Sequence, residues 1–159
     1  MYRIILMVVR LFYKVPYYLI RIWWLGTRKN FNLEENYAFI KKVTKAANRA
    51  GRVTIESYGT ENIPKENGFI FFPNHQGMFD ALVFLESCPV PFTVVYKREV
   101  SNVILLKQVF QALRAIAIDR EDIKQSLQVI NQMTEEVKQG RNFLIFPEGT
   151  RSRMGNKLL

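Results

Sequence analysis

Four short apolar runs punctuate the chain, and each stops at a polar corner. Phe69–Phe72 is closed by Pro73 and Asn74-His75, and Phe92–Tyr96 runs into Lys97-Arg98-Glu99. Ala115–Ile118 runs into Asp119-Arg120, and Asn142–Phe146 is closed by Pro147 and Glu148-Gly149-Thr150-Arg151. Apolar runs this short, ended by proline or charge, read as buried strands. Helical stretches separate them at Met78–Ser87, Val100–Leu113 and about Glu121–Lys138. The last carries an apolar seam of Ile123, Leu127, Ile130 and Met133 and stops at Gly140. A parallel neighbour needs a crossover, so strands alternating with helices imply an α/β layer structure. The expectation is a mixed, largely parallel sheet flanked by helices, with sites at the strand ends.

Upstream, Asn32 caps a helix expected over Leu33–Ala50, with Gly51 as its stop. Val53, Ile55 and Tyr58 alternate as a strand or two would, and Asn62–Gly68 reads as a turn-rich loop. The 159 residues suffice for one domain with a core. One cysteine, Cys88, excludes an intrachain disulfide, and one histidine, His75, leaves too few ligands for a Cys/His zinc site.

The net charge of +9 is uneven: Arg3, Arg10, Lys14, Arg21, Arg28 and Lys29 fall within residues 1–30, which hold no acid. The first 26 residues are otherwise apolar and aromatic, and no uncharged run approaches the roughly 20 residues of a spanning helix. On a helical wheel Arg3, Arg10, Lys14 and Arg21 fall within about 40° of one another, a thin basic stripe on an apolar rod. Pro16 divides the rod into two short helices. The favoured reading of residues 1–30 is a pair of basic amphipathic membrane-binding helices. They would lie in the interface with the stripe at lipid phosphates and Tyr17, Tyr18, Trp23 and Trp24 at headgroup depth. A spanning helix would place Arg10 and Lys14 near mid-bilayer, and a core-packed helix pair is the remaining alternative. The charge is interleaved with Trp, Ile and Leu rather than displayed on a polar face, which argues against a nucleic-acid partner.

His75 stands just past a strand, with Asp80 five residues on. A neutral imidazole can accept a proton near pH 7, and a carboxylate on its other nitrogen would orient it. No serine stands in a nucleophile-elbow sequence, so the hydroxyl to be activated could belong to a substrate. A structural histidine is the competing reading of this pair alone. In Phe146-Pro147-Glu148-Gly149-Thr150-Arg151-Ser152 the glycine permits a tight path, and the donors suit an anion such as a phosphate monoester. The plain alternative is a solvated basic loop. For Asp119 it is an N-cap, for Arg120 a surface residue, and for Lys97-Arg98-Glu99 a helix start with a local ion pair. Cys88 with His75 as a hydrolase pair lacks any oxyanion-hole signature.

Taken together, His75-x4-Asp80, then Ile118-Asp119-Arg120, then the seven-residue block from Phe146 to Ser152 resemble the first three blocks of the glycerolipid acyltransferase family. The pattern is most similar to bacterial 1-acyl-sn-glycerol-3-phosphate acyltransferases, over about Val53 to Ser152. The resemblance implies residues 31–159 as an acyltransferase domain that moves an acyl group from acyl-CoA or acyl-carrier protein to lysophosphatidic acid. His75 would be the general base and Asp80 its support, with direct attack on the thioester and no metal or other cofactor. Arg120 and Arg151 would bind the acceptor phosphate, with Lys97 adding charge. Glu148, Gly149 and Thr150 fall at third-block positions tied to the acceptor. Asn74 would fix the His75 loop. Anionic membrane lipids would be partners, and the enzyme would sit peripherally or monotopically on the cytoplasmic face of the cell membrane. Family members often carry glycine where Arg114 stands. They also continue past the third block, so the resemblance implies a C-terminally incomplete domain and, as an alternative function, a catalytically silent membrane-binding fragment.

Overall fold

A computed structural model describes residues 2–75, 77, 79–103 and 106–147. The N-terminal rod is two helices, α1 (Tyr2–Leu11) and α2 (Val15–Thr27), with Pro16 in the first turn of α2. There the missing N–H interrupts no helical bond. Next comes α3 (Leu33–Ala50). The Asn32 side chain accepts from the Glu35 backbone N at 3.0 Å, and Gly51 N–H donates to Ala47 O. Both ends of this helix therefore match the sequence expectation.

The remaining elements alternate: β1 (Ile70–Phe71), α4 (Asp80–Ser87), β2 (Thr93–Lys97), α5 (Leu106–Ala112), β3 (Ile116–Ile118), α6 (Ile123–Lys138) and β4 (Phe143–Ile145). The strands form one sheet in the order β1-β4-β2-β3, with every pair parallel. Ile70 lies opposite Phe143, Val94 opposite Leu144 and Tyr96 opposite Ala117. Alternate residues of the sheet enter different cores. Leu144 joins Ile22 of α2, Tyr37 and Ile40 of α3, Leu85 of α4 and Leu113 after α5. Phe143, Val95 and Ile116 pack with Val129 and Met133 of α6 on the opposite side. Burying each such side chain stabilises the fold by about 1.5–3 kcal/mol.

Polar staples lock the strand entrances. Asn142 Oδ1 accepts from Gly68 N at 2.8 Å, and its Nδ2 donates to Pro91 O at 3.0 Å, tying the starts of β1 and β2 to β4. The Arg141 guanidinium donates to Thr93 Oγ1 and to the carbonyls of Leu113 and Arg114, and pairs with Glu136. Arg114 itself has φ +48, the left-handed region where glycine is at ease. Its guanidinium lies over the Phe31 ring at 3.8 Å, a contact glycine could not make.

Three expectations change. Val53, Ile55 and Tyr58 form no strand, and Tyr58 is exposed; the chain there is irregular up to a 3-10 turn at Thr60–Asn62. In α6 the period is right but the phase is not: Met133 is buried, whereas Ile123, Leu127 and Ile130 are exposed. Val129 takes the inward place. Asp122, not Asp119, caps α6, accepting from Gln125 N at 3.0 Å.

The basic stripe of the leader also faces differently. Arg3 donates to Arg52 O and Arg10 to Ala50 O, both at 3.0 Å, so two of its cations serve the carbonyl end of α3. Met7 packs there as well, against Gly51. The apolar side chains Tyr2, Ile5, Val9, Phe12, Tyr17, Ile20 and Trp23 face outward, with Phe12 70% exposed. No helix among the described residues is long and apolar enough to cross a membrane.

Candidate active site

Parallel strands all deliver their C-terminal ends to one edge of the sheet. Along that rim the strand order sets the sequence of functional groups. His75 follows β1, Phe146 follows β4, Lys97 and Arg98 close β2, and Asp119-Arg120 follow β3. Strand spacing makes β1 and β3 about 14 Å apart, and β1 and β4 direct neighbours.

His75 and Asp80 meet as the motif requires. The chain leaves β1 through Pro73, and Asp80 opens α4, so the intervening loop brings the two side chains together. Nδ1 of His75 lies 2.9 Å from Asp80 Oδ2, with both side chains about three-quarters buried (23% and 24% exposed). The same oxygen accepts from Gly77 N at 3.0 Å. The carboxylate thus holds both the imidazole and the turn between them. With Nδ1–H donating to Asp80, the neutral ring carries its lone pair on Nε2, the nitrogen positioned to take a proton. Across the ring face, Phe146 sits 4.2 Å away, centroid to centroid. Asn74, expected to fix this loop, is exposed.

The cations are distributed along the other strands. Lys97 pairs with Glu99 at 2.6 Å and both are largely exposed, the local ion pair anticipated from sequence. Arg98 pairs with Asp119 at 3.2 Å, bridging the ends of β2 and β3. A bond from Glu121 N, and then the Arg98 guanidinium, hold the Asp119 carboxyl below its usual range. Arg120 is exposed beside it. Glu148, Gly149, Thr150 and Arg151 lie outside the described residues.

Three contributors escaped the sequence reading. Gln125 accepts from Asp119 N at 2.9 Å and donates to Ala117 O at 2.9 Å, and Ser126 Oγ donates to Asp119 O at 2.7 Å, so α6 holds the Asp119-Arg120 corner. Gln125 stands three residues after the Asp122 cap, a spacing that signals helix start rather than corner support. Phe146 was visible as a strand residue and as the first residue of the third block, but not as a neighbour of His75. Cys88, by contrast, is set apart from His75, buried at the far end of α4, and burial pushes its thiol up. Beside it lies an apolar hollow of about 260 Å³, lined in part by Ile63, Phe71, Val83, Phe84 and Cys88.

A family model described as Acyltransferase matches residues 54–158, two-thirds of the sequence and all four strands of the sheet. The chain belongs to the acyltransferase family. This acyltransferase chain is 31% identical over 98 residues to a 1-acyl-sn-glycerol-3-phosphate acyltransferase of Borreliella burgdorferi, a match covering 62% of this chain and 39% of that protein. It is 38% identical over 104 residues to a protein of the same description from Pseudomonas aeruginosa, covering 65% and 40%. The matched region spans about 40% of the length of these relatives. Its backbone also follows the crystal structure of the 1-acyl-sn-glycerophosphate (LPA) acyltransferase PlsC from Thermotoga maritima. The TM-score is 0.68 at 24% identity, over 95% of this chain and 60% of that one. The fold is therefore that of an acyltransferase.

Proposed function

We propose that the chain transfers an acyl group from an acyl thioester, acyl-CoA or acyl-carrier protein, to the free hydroxyl of 1-acyl-sn-glycerol-3-phosphate. The observation that carries this reading is the His75–Asp80 pair at 2.9 Å, just past the end of β1, which adjoins β4, the strand leading into the third block. In the proposed step Nε2 of His75 takes the proton of the acceptor hydroxyl. The oxygen bonds to the thioester carbon, the C–S bond breaks, and the imidazolium returns the proton to the departing thiolate. Asp80 favours the imidazolium while it lasts. Lys97, Arg120 and Arg151 supply charge for the acceptor phosphate, assisted by Glu148, Gly149 and Thr150.

Residues 1–30 form the membrane-binding part under this reading. Their outward Tyr2, Ile5, Val9, Phe12 and Trp23 would enter the interface to about 5–10 Å, bringing the rim to its lipid substrates. Residual positive charge would favour anionic lipids on the cytoplasmic leaflet. The hollow beside Cys88 lies about 10 Å along α4 from Asp80, within reach of an acyl chain whose thioester is at His75.

The test is conversion of lysophosphatidic acid and acyl-CoA or acyl-carrier protein to phosphatidic acid by the purified chain, followed by mass spectrometry. Activity is expected to fall to background in His75→Ala. Full turnover by that variant would refute the base assignment, and an inactive wild-type chain with every donor would refute the reaction.

A further inference from the structure

The imidazole of His75 is held in two directions. Asp80 engages it in the ring plane at Nδ1, 2.9 Å away. Phe146 covers a face, with ring centroids 4.2 Å apart and 33° between the planes. This is a tilted ring contact, near enough for a ring cation to feel the negative π-face. Sheet register explains why the contact exists. Phe71 lies opposite Leu144 in parallel strands, so the two chains leave the sheet at the same edge, with Phe146 two residues past Leu144 and Pro73 two past Phe71. His75 follows two residues later, and its ring folds onto the phenyl group.

We propose that Phe146 is a positioning residue for acyl transfer: it braces the His75 ring against Asp80 and favours the imidazolium formed during the reaction. The proposal rests on the reading of His75 as the base. A neutral imidazole gains only the stacking contact. The imidazolium gains that contact and the attraction of its charge to the π-face. The interaction therefore strengthens as the hydroxyl proton arrives, which is the condition for accelerating a step rather than merely binding a substrate. Phe146 acts through His75, whose ring it covers.

Two readouts separate this role from plain packing. His75 is the chain's one histidine, so its imidazole C–H signals are unambiguous in an NMR spectrum of the detergent-solubilised chain. Those signals are expected upfield of free histidine through the Phe146 ring current. They should stay there in Phe146→Tyr, which keeps the π-face, and move back in Phe146→Leu and in Phe146→Met. In kinetics, Phe146→Leu and Phe146→Met should lower kcat by roughly 3- to 30-fold with little change in the acceptor KM, and Phe146→Tyr should restore it.

Unshifted imidazole signals in the folded wild-type chain overturn the proposal, whatever the activity. So does a wild-type kcat in Phe146→Met after its signals have moved. A wild-type chain that shows the ring-current shift but acylates no lysophospholipid refutes the assigned reaction instead, leaving the Phe146 brace intact and its catalytic part refuted with the reaction.

Discussion

Replacing Asp80 by asparagine removes one charge and leaves an amide oxygen to stand in for Oδ2. Asp80 Oδ2 accepts from His75 Nδ1 at 2.9 Å and from Gly77 N at 3.0 Å, and an asparagine Oδ1 can keep both bonds. Under the proposed mechanism, what disappears is attraction between a carboxylate and the imidazolium that forms during proton transfer. Two unit charges 4 Å apart attract by about 4 kcal/mol at an effective dielectric constant near 20. The two side chains are 23% and 24% exposed, so solvent screening reduces this to about 2–3 kcal/mol. The neutral ground-state ring feels little of it, so the loss falls on the transition state and hence on kcat. Asp80→Asn is thus expected to lower kcat by about 30- to 160-fold, with the acceptor KM nearly constant. The assay is thiol release from acyl-CoA, or from acyl-carrier protein if that is the donor, at saturating lysophosphatidic acid, with thermal unfolding as the control for folding. A folded variant whose kcat stays within about threefold of wild type would refute the assignment of Asp80 as partner of a developing imidazolium.

Other outcomes follow from the packing and the surface. Gly68 has φ +98, and a Cβ there would meet Val137 O at 2.7 Å. Gly68→Ala should therefore cost about 2–4 kcal/mol in urea unfolding, and an unchanged midpoint would contradict the geometry. The hydrogen bond from Arg28, reinforced by Arg21, holds the Glu35 carboxyl below its usual value of about 4.5. Its stabilisation is then fully present above that value and lost as pH falls through the lowered folded one. Thermal melts should show wild type above Glu35→Gln at pH 7 and the gap closing toward pH 3; a gap that widens in acid would refute the pairing. Ile5 and Val9 are 59% and 61% exposed, so Ile5→Glu/Val9→Glu should leave the melting temperature unchanged. In co-sedimentation it should weaken binding to anionic vesicles by at least about tenfold, and equal sedimentation would exclude this face as the docking surface.

How far the sequence could be read depended on whether a signal was local. Pro16, Asn32 and Gly51 act on their own backbone neighbourhood, and the helix ends fall where those residues dictate. The His75–Asp80 contact was legible for a related reason: the two side chains can meet only if His75 lies in the turn and Asp80 in the first turn of the helix, which is where they stand. Phase within an amphipathic helix is not local. In α6 Val129, Met133 and Val137 occupy one half of a wide apolar arc, with Ile123, Leu127 and Ile130 in the other. Only the sheet decides which half it covers, and it takes the first. Val53, Ile55 and Tyr58 alternate as a strand should, but alternation cannot supply a strand to pair with, and they pair with none among the described residues. Phe146 was hidden by strand order. Nothing in the spacing of His75 and Phe146 says that β4 inserts beside β1, and that insertion is what brings the Phe146 ring onto the His75 imidazole.

The same dependence on three-dimensional context gives the leader a second task. Ile22 is buried in the core that contains Leu113 and Leu144, and Leu25 of the same helix is buried as well, while Trp23 and Ile20 on other faces of α2 are exposed. Asn36 of α3, itself fully buried, donates to Leu25 O at 3.2 Å and to Ala112 O at 2.8 Å, joining α2 to the end of α5. Gly26 permits the close approach: a Cβ there would lie 3.0 Å from Ala112 N and 3.2 Å from Gln111 C, backbone atoms that cannot swing aside. From Ala112 the chain needs only the Leu113–Ala115 turn to enter β3, which ends at Asp119-Arg120. The exposed apolar face of α2 and the cationic end of the sheet are therefore joined through rigid backbone contacts rather than a flexible linker. Under the proposed docking, the angle at which α2 lies in the lipid would fix the tilt of the sheet. Any side chain at position 26 would change both together.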